Sequence, residues 1–203
     1  MVTKVAREPE FRVILRDPAV REVFLPGHAV GVFAPHGGGI EPGTEEIARA
    51  VAQATGATLY VLSAKRPSGN GQLHIACTKM IPGISTKLDS AIAACRIAIS
   101  IHGHGRTKDG GAVYVSGRAT DAVQVTAGAM RHALKGVFEV VDELDRIPSD
   151  LAGLHKDSLV NRPKGGGVQI ELPRALREEA RPAIRGAAAQ LVTALVEAVR
   201  ELT

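Results

Sequence analysis

The sequence predicts an α/β fold, a mixed and mostly parallel sheet flanked by helices, and two patterns carry that prediction. Short runs of Val, Ile, Leu and Ala alternate with segments whose apolar residues recur at helical spacing, the signature of β-α-β units. Two of the runs, ending VFAPHGGG and IAISIHGHG, stop on a histidine followed by glycine. In open α/β sheets ligands bind in the crevice outside the carboxyl ends of the strands, so two strand-terminal histidines are expected to converge there. The chain has 203 residues and no Pro- or Ser-rich linker, which predicts one domain over residues 1–203.

Taken in order, Phe11, Val13 and Leu15 alternate ahead of Asp17-Pro18, as an edge strand would. Val30, Val32 and Phe33 form a buried strand, and His36 falls where that apolar run gives out. Gly37, Gly38 and Gly39 permit a tight turn. Glu41 follows five residues after His36, and Pro42 opens a helix to about Ala54 with Ile47, Ala48, Val51 and Ala52 on one face. Thr58–Leu62 completes the first β-α-β unit. Lys65–Gln72 is a polar loop, and His74, between Leu73 and Ile75, reads as a structural histidine more readily than as a ligand. Ser85–Cys95 is a helix carrying Leu88, Ala91 and Ile92, and Arg96–Ile101 a strand that delivers His102. Beyond lie a strand at Ala112–Val115, a helix at Asp121–Leu134, a strand at Val137–Val141 and a loop from Leu151 to Gly167 that suits the wall of an anion pocket. Gly167–Pro173 is the last strand, with Val168, Ile170 and Leu172 on one face and Gln169 and Glu171 on the other. An amphipathic helix from Pro182 to Leu202, with Leu191, Leu195, Val196 and Val199 as its stripe, ends the chain.

Composition narrows the function. Aromatic residues make up 3% and Trp is absent, so base-stacking surfaces are not expected. The net charge of +4 favours anionic partners, but the basic residues are dispersed among 21 acids, which suits an acidic small molecule or polymer better than nucleic acid. Cys77 and Cys95 are too few and too far apart for a disulfide framework and read as separate reduced thiols. The charged start of the chain and the lack of a long apolar stretch predict a soluble, cytoplasmic protein without a membrane partner, one that cell lysis would release. The oligomeric state is not legible.

His36, Glu41 and His102 form a ligand set suited to Zn2+, which in hydrolases takes three His or carboxylate ligands and keeps a position for water. A strand-end histidine alone is more often structural, and Glu41 alone suits a helix amino terminus; the combination makes the case. His104, two residues beyond His102, is the alternative third ligand, although Gly103 and Gly105 argue against continuation of the strand. Glu171, at the end of the last strand, is the candidate general base. Arg118, Arg162 and Arg177 are offered as grips for a substrate carboxylate or developing oxyanion, Arg162 foremost because it adjoins Asn161 before the final strand. A rival reading makes Gly37–Gly39 and the following helix a phosphate-binding turn, but it lacks the P-loop lysine and sets Glu41 beside the anion.

The strings PHGGGIEPGTEEIA (35–48), LHIA (73–76), ISIHG (99–103) and GGVQIELP (166–173) occur in order and together resemble the zinc-dependent poly-γ-glutamate hydrolases of bacteria and phages. That resemblance implies a zinc carboxypeptidase-like fold with zinc at the sheet edge, His36, Glu41 and His102 as its ligands, and Glu171 as general base. It implies an isopeptide-linked γ-glutamyl polymer as substrate. The spacing departs from carboxypeptidases proper, which read H-x-x-E where this chain reads H-x-x-x-x-E, so an ordinary exopeptidase is disfavoured. An N-acyl amino acid deacylase on the same metal scaffold is the alternative enzyme.

Overall fold

The computed structural model describes residues 8–106 and 111–203. Seven strands, β1 (Val20–Leu25), β2 (His28–Gly38), β3 (Ala57–Ala64), β4 (Ile97–His104), β5 (Val113–Gly117), β6 (Val140–Val141) and β7 (Gly167–Pro173), form one sheet in the order β1-β3-β2-β4-β7-β5-β6. The four central strands β3, β2, β4 and β7 are parallel; β1 and β5 run antiparallel to β3 and β7, and β6 is parallel to β5. This is the mixed, mostly parallel sheet the sequence predicts. Chain connections leave β2 toward β3 on one side and return to β4 on the other, so the β2/β4 boundary is a topological switch point, where such sheets bind ligands.

Six α-helices among the described residues cover the two faces: α1 (Glu10–Leu15), α2 (Thr44–Thr55), α3 (Thr86–Ala94), α4 (Thr120–Ala133), α5 (Arg174–Glu178) and α6 (Gly186–Glu201). The larger core unites Val30, Val32, Ile99, Val168 and Ile170 of the sheet with Ile47 and Val51 of α2, Met130 of α4 and Leu191 and Leu195 of α6. A second core on the opposite face joins Phe33, Tyr60 and Leu62 to Phe11 of α1 and Leu88 and Ala91 of α3. Each fully buried Leu, Ile or Phe contributes about 1.5–3 kcal/mol relative to exposure, so both faces hold the central strands rigidly. The site grows from their ends. Ser85 caps α3, its hydroxyl accepting from the Leu88 N–H at 3.1 Å.

Four expectations need correction. Phe11–Leu15 is helix, because Phe11, Ile14 and Leu15 reach the core at spacings of three and four while Val13 faces solvent. The edge strand is β1, whose charged Arg21 and Glu22 obscured it. The expected strand at Val137–Val141 shrinks to Val140–Val141, with Val137 exposed after the turn at Gly136. The final helix begins at Gly186, and the short α5 precedes it. Arg7, part of the charged start of the chain, lies outside the described residues. No helix of the described residues is long and apolar enough to cross a membrane.

Candidate metal centre

His36 reaches the site because β2 breaks its own alternation. Ala34 pairs with Val61 and Gly37 with Ser63, so three residues of β2 span two of β3. That bulge re-aims His36, which strict alternation would put on the face of Val32 and Ala34. The backbone then turns back: the Glu41 N–H donates to the His36 carbonyl at 2.8 Å, which accounts for the five-residue spacing and sets both side chains on one rim. Of the three glycines only Gly38 has a positive φ, +68°. Glu41 is pinned by the Gly103 N–H, which donates to Oε2 at 2.9 Å.

His102 arrives on β4, which continues through Gly103 to His104 despite the glycines. Its Nδ1 lies 3.2 Å from Nδ1 of His36 and 3.7 Å from Glu41 Oε2, while His36 Nδ1 lies 2.9 Å from Glu41 Oε1. Donors held 2.0–2.2 Å from a tetrahedral ion sit about 3.3–3.6 Å apart, and the three observed separations bracket that range. Two imidazole nitrogens and a carboxylate at these separations suit a divalent cation, and among the described residues two overlapping groups bring one donor atom from each of three side chains within 4.8 Å: His36 with Cys77 and His102, and His36 with Glu41 and His74. The three side chains are all buried.

Their charges are coupled. Burial opposes protonation of His36, but the charge and hydrogen bond of Glu41 outweigh it and raise the His36 pKa. Burial likewise works against the Glu41 carboxylate, yet His36 and its hydrogen bond hold the pKa far below the usual range. His102 is pushed down to about 3, chiefly by burial, with Glu41 opposing and His36 and His74 adding to the fall.

Glu171 pairs in register with His102 across β4 and β7. Gln169, two residues earlier on the same face, donates from Nε2 to Glu171 Oε1 at 3.0 Å and to the Leu151 carbonyl at 3.0 Å. Burial first, and the charge of Glu41 second, raise the Glu171 pKa well above the ordinary carboxylate value. All of these groups line one cleft of about 580 Å³, bounded on its far side by Ser149–Ser158.

The cleft also holds residues outside the expected set. His74 stacks on His36 with ring centroids 4.0 Å apart and brings Nε2 to 3.4 Å from Glu41 Oε1; its apolar neighbours in sequence disguised a partly exposed side chain. Cys77 Sγ lies 3.8 Å from His102 Nε2. Arg106 is the cleft arginine among the described residues and pairs with Asp150 at 2.7 Å. His104 also lines the cleft, but its Nε2 is 2.9 Å from the Ala112 carbonyl and its Nδ1 accepts from the Arg106 N–H at 3.2 Å, so neither nitrogen faces the His36–Glu41–His102 convergence.

Arg118, Asn161 and Arg162 stand behind the cleft wall. Arg118 donates to the Leu154 carbonyl at 3.5 Å, Asn161 to those of Gly153 and His155 at 2.6 and 3.1 Å, and Arg162 to those of Asp157 and Met80. Arg177 is buried, and its guanidinium ties together the carbonyls of Leu172, Pro42 and His104.

A family model described as poly-γ-glutamate hydrolase matches residues 14–186. The chain belongs to this family. Within the family's reach, YndL of Bacillus subtilis (strain 168) is 30% identical over 157 residues, 75% of this chain and 56% of that protein. The chain spans about half the length of the curated relatives it matches. A bacteriophage poly-γ-glutamate hydrolase superposes with a TM-score of 0.78 at 24% identity, covering 91% of this chain and 89% of the other. A metallo-carboxypeptidase of Burkholderia cenocepacia superposes at 0.50 with 15% identity, covering 94% and 66%. The carboxypeptidase-like architecture expected for the family is therefore present.

Proposed function

We propose that the protein is a zinc-dependent hydrolase of γ-glutamyl amide bonds in poly-γ-glutamate or a related acidic polymer. The observation that carries the reading is the approach of His36 Nδ1, His102 Nδ1 and the Glu41 carboxylate to one another, with Glu171 the register partner of His102. Membership of the family supports the substrate class, and the description of one YndL structure as a zinc-free apo form supports zinc among divalent ions. When bound by His36, Glu41 and His102, zinc supplies Lewis acidity that polarises an amide carbonyl and lowers the pKa of water to about 7.

The chain's own residues do the rest. Glu171 takes a proton from the attacking water and returns it to the leaving nitrogen, and Gln169 holds its Oε1. Arg118, Asn161 and Arg162 fix, through backbone carbonyls, the wall against which substrate lies. Arg106 presents a guanidinium on the cleft surface itself, where an exposed ion pair with Asp150, worth about 0–1 kcal/mol, exchanges readily for a substrate carboxylate.

The test is chain-length loss of poly-γ-glutamate by size-exclusion chromatography, with zinc content measured on the same preparations. Glu171→Gln is expected to abolish cleavage and retain zinc; cleavage at the wild-type rate removes Glu171 from the scheme. N-acyl-glutamate and N-acyl-aspartate run beside the polymer, and their preferential cleavage replaces the polymer reading with deacylation. A zinc-free protein that binds phosphate returns the Gly37–Gly39 turn to the anion-binding reading, against which stand Glu41, Glu45 and Glu46 at that helix start.

A further inference from the structure

Each imidazole at the centre uses one nitrogen toward the convergence and turns the other away. His36 Nε2 lies 2.8 Å from the Ile75 carbonyl. A carbonyl only accepts, so His36 carries its proton on Nε2. His36 Nδ1 lies 2.9 Å from Glu41 Oε1 and 3.2 Å from His102 Nδ1, on the side from which a shared cation would be held. A nitrogen that binds a cation carries no proton, so His102 ligates through Nδ1 only in the tautomer that leaves Nδ1 bare. A neutral imidazole has one N–H, which leaves it on Nε2 of His102.

That Nε2 points back along its own strand. Ser100 and His102 are two residues apart on β4 and so share a face. Ser100 Oγ sits 2.9 Å from Nε2, fully buried, with Cys77 Sγ at 3.8 Å as the other neighbour. A sulfur at that distance is a poor acceptor, and the hydroxyl is the strong one.

We propose that Ser100 is a positioning residue: its hydroxyl accepts from His102 Nε2–H and thereby holds Nδ1 unprotonated and aimed at the cation shared with His36 and Glu41. The inference rests on the metal reading above but not on the substrate or on turnover. Outer hydrogen-bond partners of metal-bound histidines change affinity by about 10–100-fold. Ser100 differs from the Ile75 carbonyl in being removable by substitution.

The experiment reads two quantities that do not need activity. In metal-free protein carrying 15N-labelled histidine, long-range proton–nitrogen spectra report which ring nitrogen of His102 is protonated; Nε2–H is expected in wild type. Ser100→Ala is expected to lose that pure state and to bind zinc about 10–100-fold more weakly in competition with a chromogenic chelator. Ser100→Thr, which keeps the hydroxyl, is expected to restore both. If Ser100→Ala does not fold, Ser100→Val, which fills the site without an acceptor, carries the same criterion. An Nδ1–H wild type, or a folded alanine or valine variant with unchanged tautomer and zinc affinity within threefold of wild type, overturns the proposal. A protein that passes both tests yet cleaves no γ-glutamyl bond refutes the proposed function alone.

Discussion

Gly103→Ala adds a single methyl group between the two histidines of β4, and its effect follows from Arg177. A Cβ on Gly103 would overlap the Arg177 guanidinium and approach its Cδ to 2.8 Å. Arg177 cannot yield without cost, because it holds the Leu172, Pro42 and His104 carbonyls at 3.2, 2.8 and 3.3 Å. Those bonds link the end of β7, the turn after Glu41 and the end of β4. Hydrogen bonds to charged groups contribute about 1.5–3 kcal/mol each, and three sharing one donor add less than in full. Against this, replacing Gly by Ala restricts the unfolded chain and returns about 0.4–1 kcal/mol. The expected net destabilisation is about 2–4 kcal/mol, a fall in melting temperature of roughly 5–15 °C for a chain of this size.

The control lies two residues away. Gly105 has nothing among the described residues within 4 Å of where a Cβ would stand, so Gly105→Ala is expected to match or slightly exceed wild-type stability. Urea denaturation of both metal-free variants gives the comparison. If Gly103→Ala lies within about 1 kcal/mol of Gly105→Ala, Arg177 is not the clamp described here. A second readout follows from the Gly103 N–H bond to Glu41 Oε2: the destabilised variant should also bind zinc more weakly, whereas Gly105→Ala should not.

The donor set makes its own prediction: His102→Ala should lose stoichiometric zinc while His74→Ala keeps it, and the reverse result in plasma-emission metal analysis would move the ligand to His74. Zinc must displace the proton that Glu41 stabilises on His36, whose pKa is raised, so affinity should fall about tenfold per pH unit below that pKa. Calorimetry in buffers of different ionisation enthalpy should show proton release on binding, and affinity independent of pH would contradict the His36–Glu41 coupling. The raised Glu171 pKa has the opposite sign for stability: the native state favours its protonated form, a contribution fully present below about pH 4.5 and lost as pH rises through the folded value. Metal-free Glu171→Gln should therefore be more stable than wild type at pH 8 and equal to it near pH 4; equal denaturation midpoints at both pH values would refute this.

The parts of the fold legible in the sequence are those where one period dominates. The apolar runs of β2, β3, β4 and β7 and the helical stripe of α2 contain little that competes with their pattern, and the GVQIELP alternation correctly separates Gln169 and Glu171 from the core face. Phe11–Leu15 defeats the same method because residues 11, 13 and 15 alternate while 11, 14 and 15 share a helix face; five residues do not distinguish the two periods. At the site, His36 and Glu41 were recognised as neighbours from a glycine turn, but the means was hidden. A bulge of one residue turns His36 off the Val32–Ala34 face, and no residue in APHGG announces which strand partner slips. His74 was lost for the converse reason. Its apolar neighbours Leu73 and Ile75 are buried while its own side chain is partly open, since the chain there is a 3-10 turn followed by irregular backbone and obeys neither period. The arginines mark a sharper boundary. Sequence chemistry singles out Arg162 because guanidinium suits carboxylate, but the same fork suits carbonyls, and the fold uses Arg162 and Arg177 for backbone while Arg106 takes the cleft surface. Residue type specifies what a side chain is able to bind; only the register of the sheet and the path of the loops decide what lies within its reach.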